Sequence, residues 1–402
     1  MEYLCSNTLS LWLALGSILF ICPVTHAQQK NEIIYPLGSF SLDSTTTWLE
    51  NAFNNKIPDN IQVIGLGEVT HGGHEVPQVK AKIFQFLVEK KGHRTLLFEY
   101  PNAALSLLNF YLRDNKSTDD KVLQELAIHA FSTSIFDKAL LDLLVWIKHY
   151  NLLHPNDLIA LKGVDISGAS GSFSNYFRHN FSSLLDTLTR KRIENEWNTT
   201  SIDTITNQLI EWENNHKDSA MARMKNHYAD FLNNVKNAQV DIAHRKMAKT
   251  NFYKASYLRD SMMARNVEEL RVGKSVFWAH NGHVSYADMA VSAGNILKKD
   301  LGDQYYVIAT DFSEMADVFV MAGAGIMKKK IRPDKKVLSR QLLKKTKISQ
   351  GIMFYDDLPK LGKMTPGISI VGKFGDRQIL EWGKPFHAVI ILKTISPTLF
   401  IH

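Results

Sequence analysis

The sequence predicts an α/β protein: a central, mostly parallel sheet flanked by helices, with a large helical insertion. Three observations carry that reading. Short apolar runs end in acids or histidines, at Glu68, Glu99, Asp165 and His280. Segments of helical periodicity separate the first of these runs, as expected of strands joined by crossovers. The stretch from about residue 174 to 272 is rich in Asn, Lys and Glu and reads as helix throughout.

The elements follow in order. Ile61–Leu66 is a short apolar strand. Pro77 suits the first turn of a helix, Val79, Ile83, Phe86 and Leu87 recur at helical spacing, and Gly92 stops it. Arg94–Glu99 is the next strand, which completes a βαβ unit with a parallel pairing and a right-handed crossover. Residues 103–150 are helical, and Ile159–Val164 returns to strand. Leu258, Met262, Asn266 and Leu270 mark the last helix of the insertion, which ends near Gly273. Strands are then expected at Ser275–Ala279, Tyr305–Thr310, Val318–Met321, Ile352–Tyr355, Ile368–Val371 and Ala388–Leu392.

The 402 residues are 22% charged and 45% hydrophobic, enough for a large core. Leu9–Val24 is almost wholly apolar and is followed by Thr25-His26-Ala27, so residues 1–27 read as a secretory signal peptide and 28–402 as the mature catalytic domain. Both cysteines, Cys5 and Cys22, fall in that leader, which excludes disulfides and cysteine nucleophiles from the mature chain. The formal charge is +7, with its densest basic run at Lys328–Lys336. Without interleaved aromatics that run reads as a solvated turn at Pro333-Asp334, and neither nucleic acid nor a membrane is expected as a partner of the mature form.

In a parallel sheet the carboxyl ends of the strands share one edge, where ligands bind. Glu68 and His71 in Gly67-Glu68-Val69-Thr70-His71-Gly72-Gly73-His74-Glu75 then meet Glu99, Asp165 and the pair His280 and His283. A carboxylate beside an imidazole orients it and raises its basicity. Two His-x-x-His pairs also allow a metal site, although the His-Glu-x-x-His signature is absent. Gly-x-Ser-x-Gly does not occur, so a nucleophile elbow is not expected and water activated by histidine is the nucleophile.

At these residues the sequence resembles the erythromycin esterase family. Gly67–Glu75 corresponds to its Gly-Glu-Ala/Ser-Thr-His-Gly-Thr/Ser-x-Glu opening, Phe98-Glu99 to its strand-end Phe-Glu, and Trp146–Asn151 to its Trp-Leu-Arg-x-Tyr-Asn helix end. Arg259–Asn266 matches its Arg-Asp-x-x-Met-Ala-x-Asn helix, and Trp278–His283 its Trp-Ala-His-Asn-x-His element. Lys80 stands where the best-known members carry arginine, keeping the charge but not the planar fork.

The resemblance implies a metal-independent esterase, without cofactor, that opens a macrolide lactone and confers antibiotic resistance. His71 would be the general base, with His280 and His283 as further active-site histidines and Glu68 and Glu99 as essential acids. From the residues themselves, His71 or His280 takes the proton from water, and Lys80 and His283 serve oxyanion stabilisation or pocket polarity. His74, Asp165 and Trp278 are expected to contact substrate. The mature protein is expected to be a periplasmic or secreted monomer acting on a small-molecule macrolide. A metallohydrolase for another cyclic or polyketide-like ester, and a non-catalytic binding protein, are the rival readings.

Overall fold

The computed structural model describes residues 33–401 except 115–118, 132–135, 198, 287–290, 324 and 382. The segment 1–27 that reads as a signal peptide, with both cysteines, lies outside the described residues.

The chain begins with β1 (Ile34–Tyr35) and α1 (Thr47–Phe53), then enters the sheet through β2 (Val63–Glu68), α2 (Glu75–Lys91) and β3 (Thr95–Phe98). Gly92 caps α2 in the left-handed conformation, φ 75°, which a residue with a Cβ rarely adopts. The expected continuous helical stretch after β3 is three helices: α3 (Asn102–Arg113), α4 (Asp120–Ala130) and α5 (Lys138–Leu153). Asp119 and Asp137 cap the second and third by accepting backbone N–H groups, the signal that divides them.

After β4 (Ala160–Gly163) comes the helical region: α6 (Ala169–Phe181), α7 (Thr187–Glu196), α8 (Ile202–Asn215), α9 (Lys217–Met224), α10 (Tyr228–Ala248) and α11 (Phe252–Leu270). It has its own aromatic core, in which Phe173, Phe177, Trp212 and Phe231 are buried together. β5 (Ser275–His280), α12 (Asn281–Val284), α13 (Ala293–Leu301), β6 (Tyr305–Ala322), β7 (Gly325–Ile331), α14 (Leu338–Thr346), β8 (Gly351–Phe354), β9 (Ile368–Val371), β10 (Arg377–Leu380) and β11 (Ala388–Ile395) complete the chain.

The main sheet has the order β1-β8-β11-β6-β2-β5-β3-β4, with β7 on the edge of β6. The pairs from β11 through β4 are all parallel, and β1, β7 and β8 pair antiparallel. This is the mostly parallel sheet expected, with helices on both faces. Val79, Ile83, Phe86 and Ile147 fill one face; Met263, Val267, Leu297 and Leu342 fill the other.

Two details depart from expectation. The separate strands foreseen at 305–310 and 318–321 are one strand of 18 residues. The polar Asp311-Phe312-Ser313 between them stays in the sheet because Asp311 accepts from Ser339 Oγ at 2.9 Å and from the Phe312 N–H. The lysines at 328–330, expected in a turn, lie on β7, whose first six residues are exposed.

Candidate active site

The connection from β2 to β3 and the one from β5 to β6 leave β2 and β5 in opposite directions across the sheet, which opens a crevice at their carboxyl ends. In the register of β2 and β5, Glu68 stands beside His280. Glu99 follows β3, its N–H bonded to the Trp278 carbonyl, and Asp165 follows β4. The sheet therefore gathers the expected acids and imidazoles at one edge.

Two connected polar networks occupy that edge. In the first, Glu68 Oε1 lies 2.5 Å from His71 Nδ1, and Oε2 accepts from Lys80 Nζ at 2.7 Å and Trp278 Nε1 at 3.0 Å. Burial alone would raise the Glu68 carboxyl, but the Lys80 charge and the His71 bond outweigh it and hold it at about 2. Burial likewise brings Lys80 down to about 8 despite Glu68. These shifts are similar in size and opposite in their effect on stability, so the pair adds little net stability, as is usual for buried ion pairs. Lys80 also packs its ammonium 4.3 Å from the Trp278 ring, and Trp278 stacks on Phe98.

In the second network Arg259 of α11 is the hub. Its Nε and Nη2 hold Asp165 bidentately at 2.9 and 2.6 Å, and Nη2 also reaches Glu99 Oε1 at 2.8 Å. Glu99 Oε2 accepts the His280 N–H at 2.8 Å. Although burial opposes it, the charges of His283 and Arg259 hold the Glu99 carboxyl far below the carboxylate range. His283 sits between Asp260, 2.8 Å from Nδ1, and Glu99, 3.3 Å from Nε2. Burial lowers the His283 pKa, yet these two carboxylates raise it overall.

The imidazoles differ sharply. His280 is buried, its Nε2 3.3 Å from the Val371 carbonyl and its Nδ1 accepting the Gly282 N–H at 3.5 Å. Burial, and the charge of His71 beside it, bring its pKa to about 3, so it is neutral with both nitrogens engaged. His71 is the reverse: its side chain is 35% exposed. Burial would lower its pKa, but the Glu68 bond and the charges of Glu68 and Glu99 raise it. The two rings lie 4.9 Å apart, centre to centre.

A cavity of about 610 Å³ opens beside His71. Glu68, His71, Glu99, Asp165, Trp278 and Arg259 line it, with Phe131, Leu140, Tyr176 and Phe319 supplying apolar wall. Helix α6 contributes one side through Ser172, Asn175, Tyr176 and His179. Four expected site residues are not part of that lining, and one of them is His280, enclosed against the Val371 carbonyl. His74 turns to Asp137, 2.8 Å from Nδ1, and so secures the start of α5. Lys80 is fully enclosed beneath Glu68, which removes it as a direct oxyanion donor, and His283 stands behind Glu99. Arg259 takes the exposed cationic position instead. Its place in the Arg259-Asp260 motif was visible in the sequence; its position as hub of this network was not, because a helical arginine reads as surface. Among the described residues no three His, Cys, Asp or Glu side chains converge as a metal-binding group.

The family profile described as erythromycin esterase matches residues 88–365. That stretch includes Glu99, Asp165, Arg259, His280 and His283 and begins downstream of Glu68 and His71. Among solved structures, a Bacillus cereus protein is similar at 20% identity and TM-score 0.65, over 92% of this chain and 97% of that one. A succinoglycan biosynthesis protein is similar at 19% identity and TM-score 0.64, over 91% and 95%. A mutant of the erythromycin esterase EreC in its open conformation is similar at 14% identity and TM-score 0.60, over 90% and 97%. None of the curated proteins matches the sequence.

Proposed function

The chain belongs to the erythromycin esterase family, and from that premise we propose that it opens the lactone ring of a macrolide by hydrolysis and so confers macrolide resistance. The observation that carries the reading is the setting of His71. Its Nδ1 is held by the ionised Glu68 at 2.5 Å while the ring faces the cavity. Nδ1–H then donates to the carboxylate, which leaves Nε2 as the lone-pair nitrogen on the cavity side. An oriented imidazole of this kind is a general base for water.

In the proposed reaction the water oxygen bonds to the lactone carbonyl carbon as His71 Nε2 takes its proton. The carbonyl oxygen becomes an oxyanion, and Arg259 supplies the positive charge facing it, fixed in place by Asp165 and Glu99. Collapse of the tetrahedral intermediate breaks the bond to the ring oxygen, which receives the proton from His71. The product is the open hydroxy acid, heavier by one water. Glu68 orients the base, Lys80 keeps Glu68 ionised, and Glu99 and Asp165 position Arg259. His280 and His283 are positioning groups in this scheme, and Trp278 walls the site. The cavity's volume and largely apolar lining suit a bulky, weakly polar substrate.

The apolar leader at residues 1–27 supports export to the periplasm or the medium; the N-terminal sequence of the protein isolated from its native host checks it. For the reaction, several macrolides are incubated with the protein and weighed by mass spectrometry, with and without chelator. A gain of one water, lost in His71→Ala and insensitive to chelator, is the expected result. Folded protein that leaves every macrolide unchanged sinks the substrate assignment, and chelator sensitivity sinks the metal-free scheme.

A further inference from the structure

An exposed feature beside the cavity plays no part in the chemistry just described. Beyond Ala316, β6 leaves its partner β11 and pairs only with β7, forming a two-stranded ribbon that turns back between Ala322 and Gly325. Met321 faces Ile326 across the ribbon, and Val320 faces Met327. Met321 is 39% exposed, Ile326 44% and Met327 51%. The loop after β9 joins this end through the Met321 N–H, bonded to the Lys373 carbonyl at 2.7 Å, and adds Phe374, 56% exposed. Four large apolar side chains are therefore presented to water at one projecting end.

Behind that apolar end the charge is predominantly positive. From Val318 to Pro333 the chain carries Lys328, Lys329, Lys330 and Arg332 and no acid. The neighbouring loop and the start of β10 add Lys373 and Arg377 against the single acid Asp376. Lys328 and Lys373 lie over the Phe319 and Phe374 rings, and Lys329 reaches the Phe374 and Gly375 carbonyls. Among the described residues none of these lysines forms an ion pair with a carboxylate. Asp317 and Asp334 bound the stretch only at its base. Phe319, Met321, Ile326 and Lys373 also line the cavity that His71 faces, so the ribbon is a lip of the active-site mouth.

We propose that this lip docks peripherally on an anionic lipid bilayer, its apolar end entering the acyl boundary and its lysines meeting the headgroup phosphates. An apolar end backed by several cations is the chemistry of interfacial attachment. A second copy would set lysines against lysines, so self-association is disfavoured. Single-stranded nucleic acid prefers aromatic stacking platforms, whereas this end is mostly aliphatic. No described helix is long and apolar enough to cross a membrane; the contact proposed is interfacial, and it departs from the expectation of a mature form without membrane partners. It would let an amphiphilic substrate dissolved in lipid reach the cavity directly.

Flotation of the mature chain, residues 28–402, with vesicles of phosphatidylcholine alone, or mixed with phosphatidylglycerol, tests this without substrate or turnover. Binding to the anionic vesicles only, weakened by salt, is expected. Each surface lysine is worth about a fivefold change in partition, so the combined variant K328E/K329E/K330E loses roughly a hundredfold or more. Phe374→Trp is expected to blue-shift its emission on anionic vesicles, and M327S/F374S to lower binding while keeping the parent's melting temperature. Equal binding to both vesicle types, no binding, or a concentration-dependent dimer abolished by the lysine variant would overturn the proposal. If that variant does not fold, the salt dependence and the Phe374→Trp emission of the otherwise native chain decide it.

Discussion

Glu68 and His71 stand three residues apart in the loop after β2, with Oε1 of the one 2.5 Å from Nδ1 of the other. This spacing turns a short loop into an oriented base. The carboxylate fixes the tautomer, Lys80 and Trp278 fix the carboxylate, and the cavity takes the remaining nitrogen's side of the ring. The consequences are measurable one residue at a time.

Replacing His71 with asparagine keeps a polar side chain of similar reach and removes the basic nitrogen. Turnover is expected to fall by about 10²- to 10⁴-fold, the range for a lost general base, with little change in substrate binding. Ligand titration beside single-turnover kinetics separates the two effects. An undiminished rate would transfer the base role elsewhere.

The pH profile has a defined sign. His71 acts only when neutral, and its pKa is raised above 6.5 by Glu68 and Glu99. Activity should therefore climb as pH rises through that raised value. Lys80 loses its proton near about 8. Above that pH Glu68 lacks its counter-ion and the rate should fall. A bell-shaped kcat/KM profile is expected, and in the Lys80→Arg variant its alkaline limb should move upward, since arginine does not deprotonate in this range.

Lys80→Met tests a different property. Its ammonium is fully buried against Glu68, so removal leaves a buried carboxylate alone. Breaking such a pair costs about 3–5 kcal/mol, and denaturant titration should show a loss of that size at neutral pH. The deficit should shrink towards acid, where Glu68 protonates.

Arg259→Lys keeps a charge but cannot hold Asp165 through two parallel bonds while reaching Glu99. A fall in kcat of about 10²- to 10³-fold, with KM nearly unchanged, is expected from losing a fixed oxyanion donor. A large KM effect with kcat retained would make Arg259 a binding group only.

His93 is buried, and desolvation lowers its pKa to about 3. A histidine whose folded pKa lies below its unfolded value adds stability above about pH 6.5 that drains away as pH falls towards 3. Each such group steepens the acid loss by about 1.4 kcal/mol per pH unit. His93→Leu should make the stability curve shallower by that amount between about pH 4 and 6, measured by urea unfolding.

The edge that gathers the polar groups was legible because acids and imidazoles that end apolar strands have one place to go in a parallel sheet. Glu68, Glu99, Asp165 and His280 all arrive there. Orientation was not legible. His71 and His74 share a loop and a residue type, yet one faces the cavity and the other bonds Asp137, an acid 63 positions away. The difference between the His71 and His280 rings was equally hidden, since it depends on the Val371 carbonyl and the Gly282 N–H occupying the second ring. Arg259 was missed because its partners Asp165 and Glu99 are 94 and 160 residues distant. The β6–β7 ribbon escaped because Gly325–Lys330 is exposed throughout, so no in-out alternation marks it as strand.

The loop that carries Glu68 and His71 is pinned by segments far along the chain, Phe319 on β6 and residues 396–398 after β11. Gly72 O accepts from the Phe319 and Thr398 N–H groups, and the His74 N–H donates to the Ser396 carbonyl. Glu75 holds the Ser396 hydroxyl and N–H. Gly72 fits so closely that a Cβ there would lie 1.9 Å from the Phe319 carbonyl oxygen. The ribosome therefore finishes every acid and base of the site long before it supplies the clamp that aims them. Removing the Ser396 and Thr398 contacts is therefore expected to leave every acid and base in place and to loosen only the aim of His71.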